Sequence, residues 1–163
     1  MGLIDSHAHL TFPGLRDQVR EVLDRAHEAG VERVISVGVN LDDSREVLRL
    51  CDAHPQRIGA AIGFHPHEAV KVTDEHLAAM AELLGHPAVV GFGEMGLDYH
   101  YDFSPRDIQQ RVFANQLALA ADQDLPLAIH SREAFDDTVR LLIEHGFEHR
   151  SVVFHCIPHD SAM

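Results

Sequence analysis

No stretch of about 18 apolar residues that could cross a bilayer occurs in this sequence, and Met1 to Leu10 lacks the basic segment and apolar run of an export signal. A cytoplasmic protein with no membrane segment is therefore expected. Cysteine is scarce: Cys51 and Cys156 stand 105 positions apart, and without a secretory signal they are expected to be reduced, buried thiols rather than a disulfide. Basic residues are few. The 13 lysines and arginines face 26 acidic residues, so the formal net charge of −13 gives an average field that repels nucleic acid. Any phosphate-bearing ligand must then be held by local contacts. No linker, low-complexity tract or charge block interrupts the chain, and 163 residues at 45% hydrophobic content suffice for one core, so residues 1–163 are expected to form a single domain. Histidine is the residue in excess, with 14 copies of the commonest metal ligand.

Short β-branched runs ending in polar residues alternate with amphipathic stretches, the pattern of parallel βα units. Strands are predicted at Leu3 to Asp5, Arg33 to Val37, Ile58 to Ile62, Val89 to Gly93, Leu127 to Ile129 and Ser151 to Phe154. Leu15, Val19, Val22, Leu23 and Ala26 recur at helical spacing before Gly30, which predicts a helix from Leu15 to Ala29. A second helix is expected from about Asp43 to Ala53, and a third through Leu77, Met80, Ala81 and Leu84, with Thr73 as N-cap and Gly85 as terminator. Ser104 and Pro105 read as N-cap and first-turn proline of a fourth helix through Ile108, Val112, Phe113, Leu117 and Ala120. Glu133 to His145 makes the fifth, closed by Gly146.

Parallel strands joined by helices form either an open doubly wound sheet or a closed (β/α)8 barrel. The polar residues decide between them. His7, His65, Glu94, His130 and His155 each stand at or just past the end of a different predicted strand, separated from His65 onward by 29, 36 and 25 residues. Strand ends in a barrel share one mouth, where such side chains converge, whereas ends far from the switch point of an open sheet cannot all contribute. The expected fold is α/β, a (β/α)8 TIM barrel represented here by about six βα units.

The chemistry begins at Asp5-Ser6-His7-Ala8-His9-Leu10, because two histidines two apart on a strand face one side and can share a cation. His-x-His alone is weak, since two solvated histidines at a loop entrance look the same. The apolar Leu3 and Ile4 ahead of it supply the strand that gives it weight. Glu94, in Gly91-Phe92-Gly93-Glu94-Met95-Gly96-Leu97-Asp98, follows an apolar strand among glycines that permit a tight turn and close approach. A carboxylate there can bridge two cations. His130, in Leu127-Ala128-Ile129-His130-Ser131-Arg132, and His155, in Val152-Val153-Phe154-His155-Cys156, also end short buried strands. One such histidine is more often a packed or capping residue, but two in equivalent positions beside His-x-His and a glutamate reverse the odds. Four imidazoles and one carboxylate suit a two-metal site that is one or two oxygen ligands short.

In order, His7-Ala8-His9, Gly63-Phe64-His65-Pro66-His67, Gly93-Glu94-Met95-Gly96-Leu97-Asp98-Tyr99, His130-Ser131-Arg132 and Phe154-His155-Cys156 resemble the successive signatures of the TatD family of metal-dependent deoxyribonucleases, which are amidohydrolase-like TIM barrels. The glutamate and His-Pro-His blocks are fairly specific, while His-x-His is shared with the wider amidohydrolase class. The resemblance implies that His7 and His9 bind one metal, that Glu94 bridges, and that His130 and His155 bind the second. It turns His65, His67 and Arg132 toward substrate, the Arg132 fork matching phosphate oxygens, and makes Glu94 and His65 the catalytic residues within this chain. Two divalent ions are implied. Imidazole-rich ligation suits Zn, Mn, Fe or Ni, and the bridging carboxylate and open positions tolerate Mg.

Two departures from the family pattern stand out. Its last strand ends in an aspartate that completes the first metal site and activates water, which places that residue after Met163. Asp160, five residues beyond His155, is not its equivalent, and Ile157-Pro158-His159 replaces the usual Phe-Ser-Gly-like continuation. His100 and His159 are further imidazoles near the mouth without an assigned role. The expected function is metal-dependent hydrolysis of phosphodiester bonds at DNA or RNA ends, with no obligate protein partner. Two alternatives are an ester or amide hydrolase, acting for example on an aminoacyl-tRNA, and a truncated piece or non-catalytic binding module. The amino-terminal part of such a barrel, standing alone, is expected to be inactive and prone to self-association.

Overall fold

The alternation of β-branched runs and apolar stripes becomes six parallel strands with five helices between them in a computed structural model that describes residues 2–101 and 103–155. Strands are β1 (Leu3–Ala8), β2 (Val31–Val37), β3 (Ile58–Ile62), β4 (Val89–Asp98), β5 (Leu127–Arg132) and β6 (Val152–His155). The helices are α1 (Val19–Glu28), α2 (Leu41–Ala53), α3 (Asp74–Leu83), α4 (Arg106–Ala120) and α5 (Phe135–Glu144). The sheet order is β1-β2-β3-β4-β5-β6, every neighbouring pair parallel. A doubly wound sheet reverses its order at a switch point, whereas strands laid down in sequence order are the arrangement of a (β/α)8 barrel. The sheet is curled accordingly. The rings of His7 on β1 and His155 on β6 lie 3.7 Å apart and nearly parallel.

Every residue of β3 is buried, as expected of a strand covered on both faces. Beneath the helices Ile62, Phe92, Met95, Leu97, Phe113, Leu117 and Ile129 exclude solvent almost entirely. Burying each such side chain contributes about 1.5–3 kcal/mol. Helix α4 lies across β4 with a stripe of Gln109, Val112, Phe113, Gln116, Leu117 and Ala120, spaced as one face of a helix. The outer strands are less covered: Leu3 and Ile4 of β1 and Val153 of β6 are more than half exposed.

Several boundaries depart from the sequence expectation. Strands β1, β4 and β5 continue through the polar residues that were expected to end them, because Gly96 still pairs with His130 and Asp98 with Arg132 across β4 and β5. Helix α1 begins at Val19 rather than Leu15: Arg16–Gln18 form a separate 3-10 turn, and Gln18 with φ −139° breaks the helical path. Helix α5 begins at Phe135 because Glu133 takes a left-handed φ of 53°. Ser104 is not the N-cap of α4. Its hydroxyl donates to the His67 carbonyl at 2.9 Å and accepts from the Val70 amide at 3.0 Å, and so fastens an unexpected 3-10 segment, Pro66–Lys71. Thr73 does cap α3, accepting from the His76 amide at 3.3 Å.

Cys51 is a free, buried thiol, pushed up to about 11 by that burial. Cys156, Ile157, Pro158, His159 and Asp160 lie outside the described residues. No helix among the described residues is long and apolar enough to cross a membrane.

Candidate metal centre

The alternation of side chains along β4 organises the mouth of the barrel. Met95 and Leu97 enter the core, so Glu94, Gly96 and Asp98 share the opposite, inner face. Glycine is required at Gly93 and Gly96, where φ is +141° and +136° and an added Cβ would run into the carbonyls of Ala128 and His130 on β5. That close approach sets Glu94 and His130 side by side.

Glu94 is 2% exposed, and among the described residues its polar partners are all imidazoles. His130 Nδ1 lies 3.0 Å from Oε1, while His7 Nε2 and His9 Nε2 lie 3.3 and 3.6 Å from Oε2. Burial pushes this carboxyl upward, but attraction to His130 and His7 outweighs it and holds the group well below the usual carboxylate range. The donor atoms of His7, His9 and Glu94 lie within 4.8 Å of one another, and so do those of His65, Glu94 and His130. Glu94 therefore joins two clusters of ligand type.

The hydrogen-bond partners leave a place for positive charge between them. His9 Nδ1 lies 3.1 Å from the Val37 carbonyl, which can only accept, so in the neutral ring Nε2 is a lone pair facing a carboxylate. A lone pair facing a carboxylate calls for a proton or a metal cation between the two. His7 Nε2 is buried and lacks a hydrogen-bond partner among the described residues despite its closeness to Glu94. An orphaned imidazole nitrogen beside an ionised carboxylate is the donor set that a divalent ion completes.

Asp98, 1% exposed, sits at the centre of a second network. Its Oδ2 is 2.8 Å from His67 Nε2 and 2.9 Å from His130 Nε2, and its Oδ1 accepts the amides of His100 and Tyr101, each at 3.0 Å. Burial would raise this carboxyl as well, yet the Tyr101 amide, His67 and His130 lower it. The strand end is clamped from α4: Gln109 Oε1 accepts the Asp98 amide at 2.8 Å, and Gln109 Nε2 donates to the carbonyls of Asp98 and Ser104, both at 2.9 Å. Gln116, two turns further along, makes the same paired contact with the backbone of Phe64 at 2.8 and 3.1 Å. His130 lies between the two carboxylates. Burial pulls its pKa down, but hydrogen bonds to Glu94 and Asp98 raise it above the usual value.

Of the residues expected at the site, His7, His9, Glu94, His130, His65 and His67 come together, and His155 joins them through its flat stack on His7. His155 stands in neither donor cluster, and its pKa is lowered by burial and by His7. His65 takes its place in the second cluster. Its Nδ1 accepts the His67 amide at 3.2 Å and burial pushes its pKa down to about 3, so the ring is neutral with its proton on Nε2. Arg132 is exposed at the end of β5, its guanidinium 4.8 Å from the centre of the Tyr101 ring. His100 pairs with Glu133 at 2.7 Å. A cleft of about 290 Å³ opens on these groups, lined by His9, Phe12, Val39, His65, His67 and Glu94, together with Glu68.

Asp98, Gln109 and Gln116 were not identified as site or supporting residues from sequence. Asp98 was signalled by its even spacing from Glu94, and the glutamines by their seven-residue interval on an apolar stripe.

The family model described as TatD related DNase matches residues 4–163. The metal-dependent hydrolase YabD of Bacillus subtilis is 44% identical over 154 residues, covering 94% of this chain and 60% of that protein. The 3'-5' ssDNA/RNA exonuclease TatD of Musicola paradisiaca is 35% identical, covering 94% of this chain and 58% of that protein. The crystal structure of YJJV, a TatD homologue from Escherichia coli, superposes with a TM-score of 0.90 at 32% identity, over 97% of this chain and 61% of that one. The chain thus spans about 60% of the length of the curated relatives it matches.

Proposed function

The chain belongs to the TatD related DNase family, and from that membership we propose that it carries most of the metal centre of a hydrolase that removes nucleotides from the ends of single-stranded DNA or RNA. The observation that carries this reading is Glu94, a buried carboxylate shared by two imidazole clusters at the mouth of a parallel barrel sheet. We assign His7, His9 and Glu94 to one cation, and Glu94, His130 and His155 to a second. Two divalent ions, Mg, Mn or Zn, would supply the charge that lowers the pKa of water and offsets charge building on phosphoryl oxygens. Glu94 remains ionised throughout and serves both sites. His65, neutral with its proton on Nε2, donates to a phosphoryl oxygen, and His67, fixed on Asp98, lines the entrance. Arg132 offers its planar fork to a neighbouring phosphate.

Residues 1–163 are proposed to be the amino-terminal part of one barrel domain, with the water-activating aspartate supplied by a later strand. The span of about 60% of the relatives supports this. Cytoplasmic residence and a strand end as substrate belong to the same reading, since an acidic chain holds a terminus in a metal pocket better than it grips a duplex.

The test is release of nucleotides from labelled single-stranded DNA and RNA with Mg²⁺ or Mn²⁺, using the protein from the complete reading frame. Stepwise shortening from one end is expected. Metal-loaded protein that leaves both strands intact would overturn the proposal.

A further inference from the structure

Two aromatic rings beside the centre have no part in the core. Phe103 is 63% exposed and Tyr101 40%, and their rings face each other at 5.6 Å between centroids, inclined by 29°. Leaving such rings in water forgoes apolar burial that either of them would gain in the core. Their position is tied to the site through His67, whose ring lies 4.7 Å from Phe103 and 5.5 Å from Tyr101. The same His67 contacts Asp98, which contacts His130, which contacts Glu94. The pair therefore stands one imidazole away from the carboxylate network.

A cation completes the arrangement. The Arg132 guanidinium lies over the Tyr101 ring at 4.8 Å and has no ion-pair partner among the described residues. Its face is used by the aromatic ring, which leaves its N–H edge for an anion. The chain's net charge of −13 gives no long-range attraction for a polyanion, so affinity must come from short-range contacts. An aromatic face beside an arginine with no ion pair among the described residues supplies both kinds: a surface for the flat face of a base and a donor for the phosphate next to it.

We propose that Tyr101 and Phe103 form a stacking platform for a nucleobase of single-stranded nucleic acid, with Arg132 holding an adjoining phosphate. This rests on the hydrolytic reading of the centre and names how the strand is gripped there. Stacking accepts any base, so the platform gives grip without sequence preference.

The test is equilibrium binding by fluorescence anisotropy, with a labelled single-stranded oligothymidylate and an equally long abasic strand. Ca²⁺ replaces Mg²⁺, and strand integrity is checked on a gel. Replacing Phe103→Ala is expected to weaken the base-bearing strand by roughly five- to a hundredfold and to leave the weaker abasic strand unaffected. Phe103→Trp restores binding. Ile143→Ala, an exposed apolar residue near the far end of α5, changes neither strand, and melting temperatures of all variants stay within the wild-type range. Equal affinity of wild type for both strands, or no loss in Phe103→Ala and Tyr101→Ala, overturns the platform. A wild type that binds neither strand also overturns it and leaves the rings to a protein partner. Tight base-dependent binding without cleavage in Mg²⁺ or Mn²⁺ supports the platform and refutes the hydrolytic reading. Cleavage whose KM is the same in Phe103→Ala does the reverse.

Discussion

Glu94 and Asp98 stand four residues apart on one face of β4 and are almost equally buried, yet they are held by different means. Asp98 is fastened by the scaffold: two backbone amides point at Oδ1, and Gln109 clamps its own amide and carbonyl. Glu94 has no backbone or amide partner among the described residues and faces imidazoles. A carboxylate held by backbone donors stays in place and ionised without help. One surrounded only by titratable rings depends on whatever positive charge occupies the gap. The difference separates a positioning residue from a ligand-binding one.

The largest expected effect breaks this comparison on its functional side. Glu94→Gln should reduce strand cleavage at saturating metal by more than the roughly 10- to 100-fold usual for residues that only orient a ligand. Its metal-free fold should lose less stability than that of Asp98→Ala, because no backbone group loses a partner and the glutamine carbonyl can still accept from His130 Nδ1. Asp98→Ala should behave oppositely in stability, losing up to about 3–5 kcal/mol by chemical denaturation, since it removes a buried carboxylate from two imidazoles and two partly buried amides. Equal destabilisation by the two variants would erase the distinction drawn between them.

A smaller effect sharpens the role of α4. Gln109→Ala leaves the amide of Asp98 and the carbonyls of Asp98 and Ser104 without partners, and is expected to cost about 1–3 kcal/mol in urea titration. Activity should fall less than in Asp98→Ala, because the carboxylate keeps its amide donors. Unchanged stability would mean that water replaces the glutamine and that the clamp is incidental.

The smallest effect is a pH slope in the chelated protein. The pKa of His65 is about 3 in the folded chain, below the unfolded value near 6.5, so its contribution is present above about pH 6.5 and is lost as pH falls toward 3. His155, also lowered, acts in the same direction. His130 has the opposite sign: its raised pKa gives stability that is complete below about pH 6.5 and disappears as pH rises through the folded value. The depressed carboxyls of Glu94 and Asp98 give stability that is complete above the usual carboxylate range and is lost as pH falls through that range toward their folded values. Melting curves between pH 6.5 and 5 therefore isolate the histidines, and His65→Gln should flatten the loss on acidification. A variant as acid-sensitive as wild type would show that His65 is protonated in the folded chain.

Much of this centre was legible in the sequence, because a parallel barrel sheet sends every strand end to one mouth and His7, Glu94, His130 and His155 mark four of those ends. The rest was hidden for physical reasons. Ending β4 at Gly93 placed Asp98 in a loop of unknown direction, and only the continued pairing with β5 shows that it shares a face with Glu94. Gln109 and Gln116 look like surface residues by type, and their role as backbone partners emerges only once α4 lies on the strand ends. Ser104 followed by Pro105 fits a cap by local rule, but a tertiary contact with His67 and Val70 claims the hydroxyl. His65 was expected to face substrate, and the fold also sets its ring beside Glu94 and His130.

The most direct test of the central claim, that Glu94 joins two sites, is metal content per chain after Mn²⁺ loading and gel filtration, measured by plasma emission. The expected result is about two equivalents in wild type, about one in His7→Ala and in His130→Ala, and fewer in Glu94→Gln than in either. Retention of the full wild-type content by Glu94→Gln would contradict it, and the two imidazole clusters would then have to bind metal independently of the carboxylate between them.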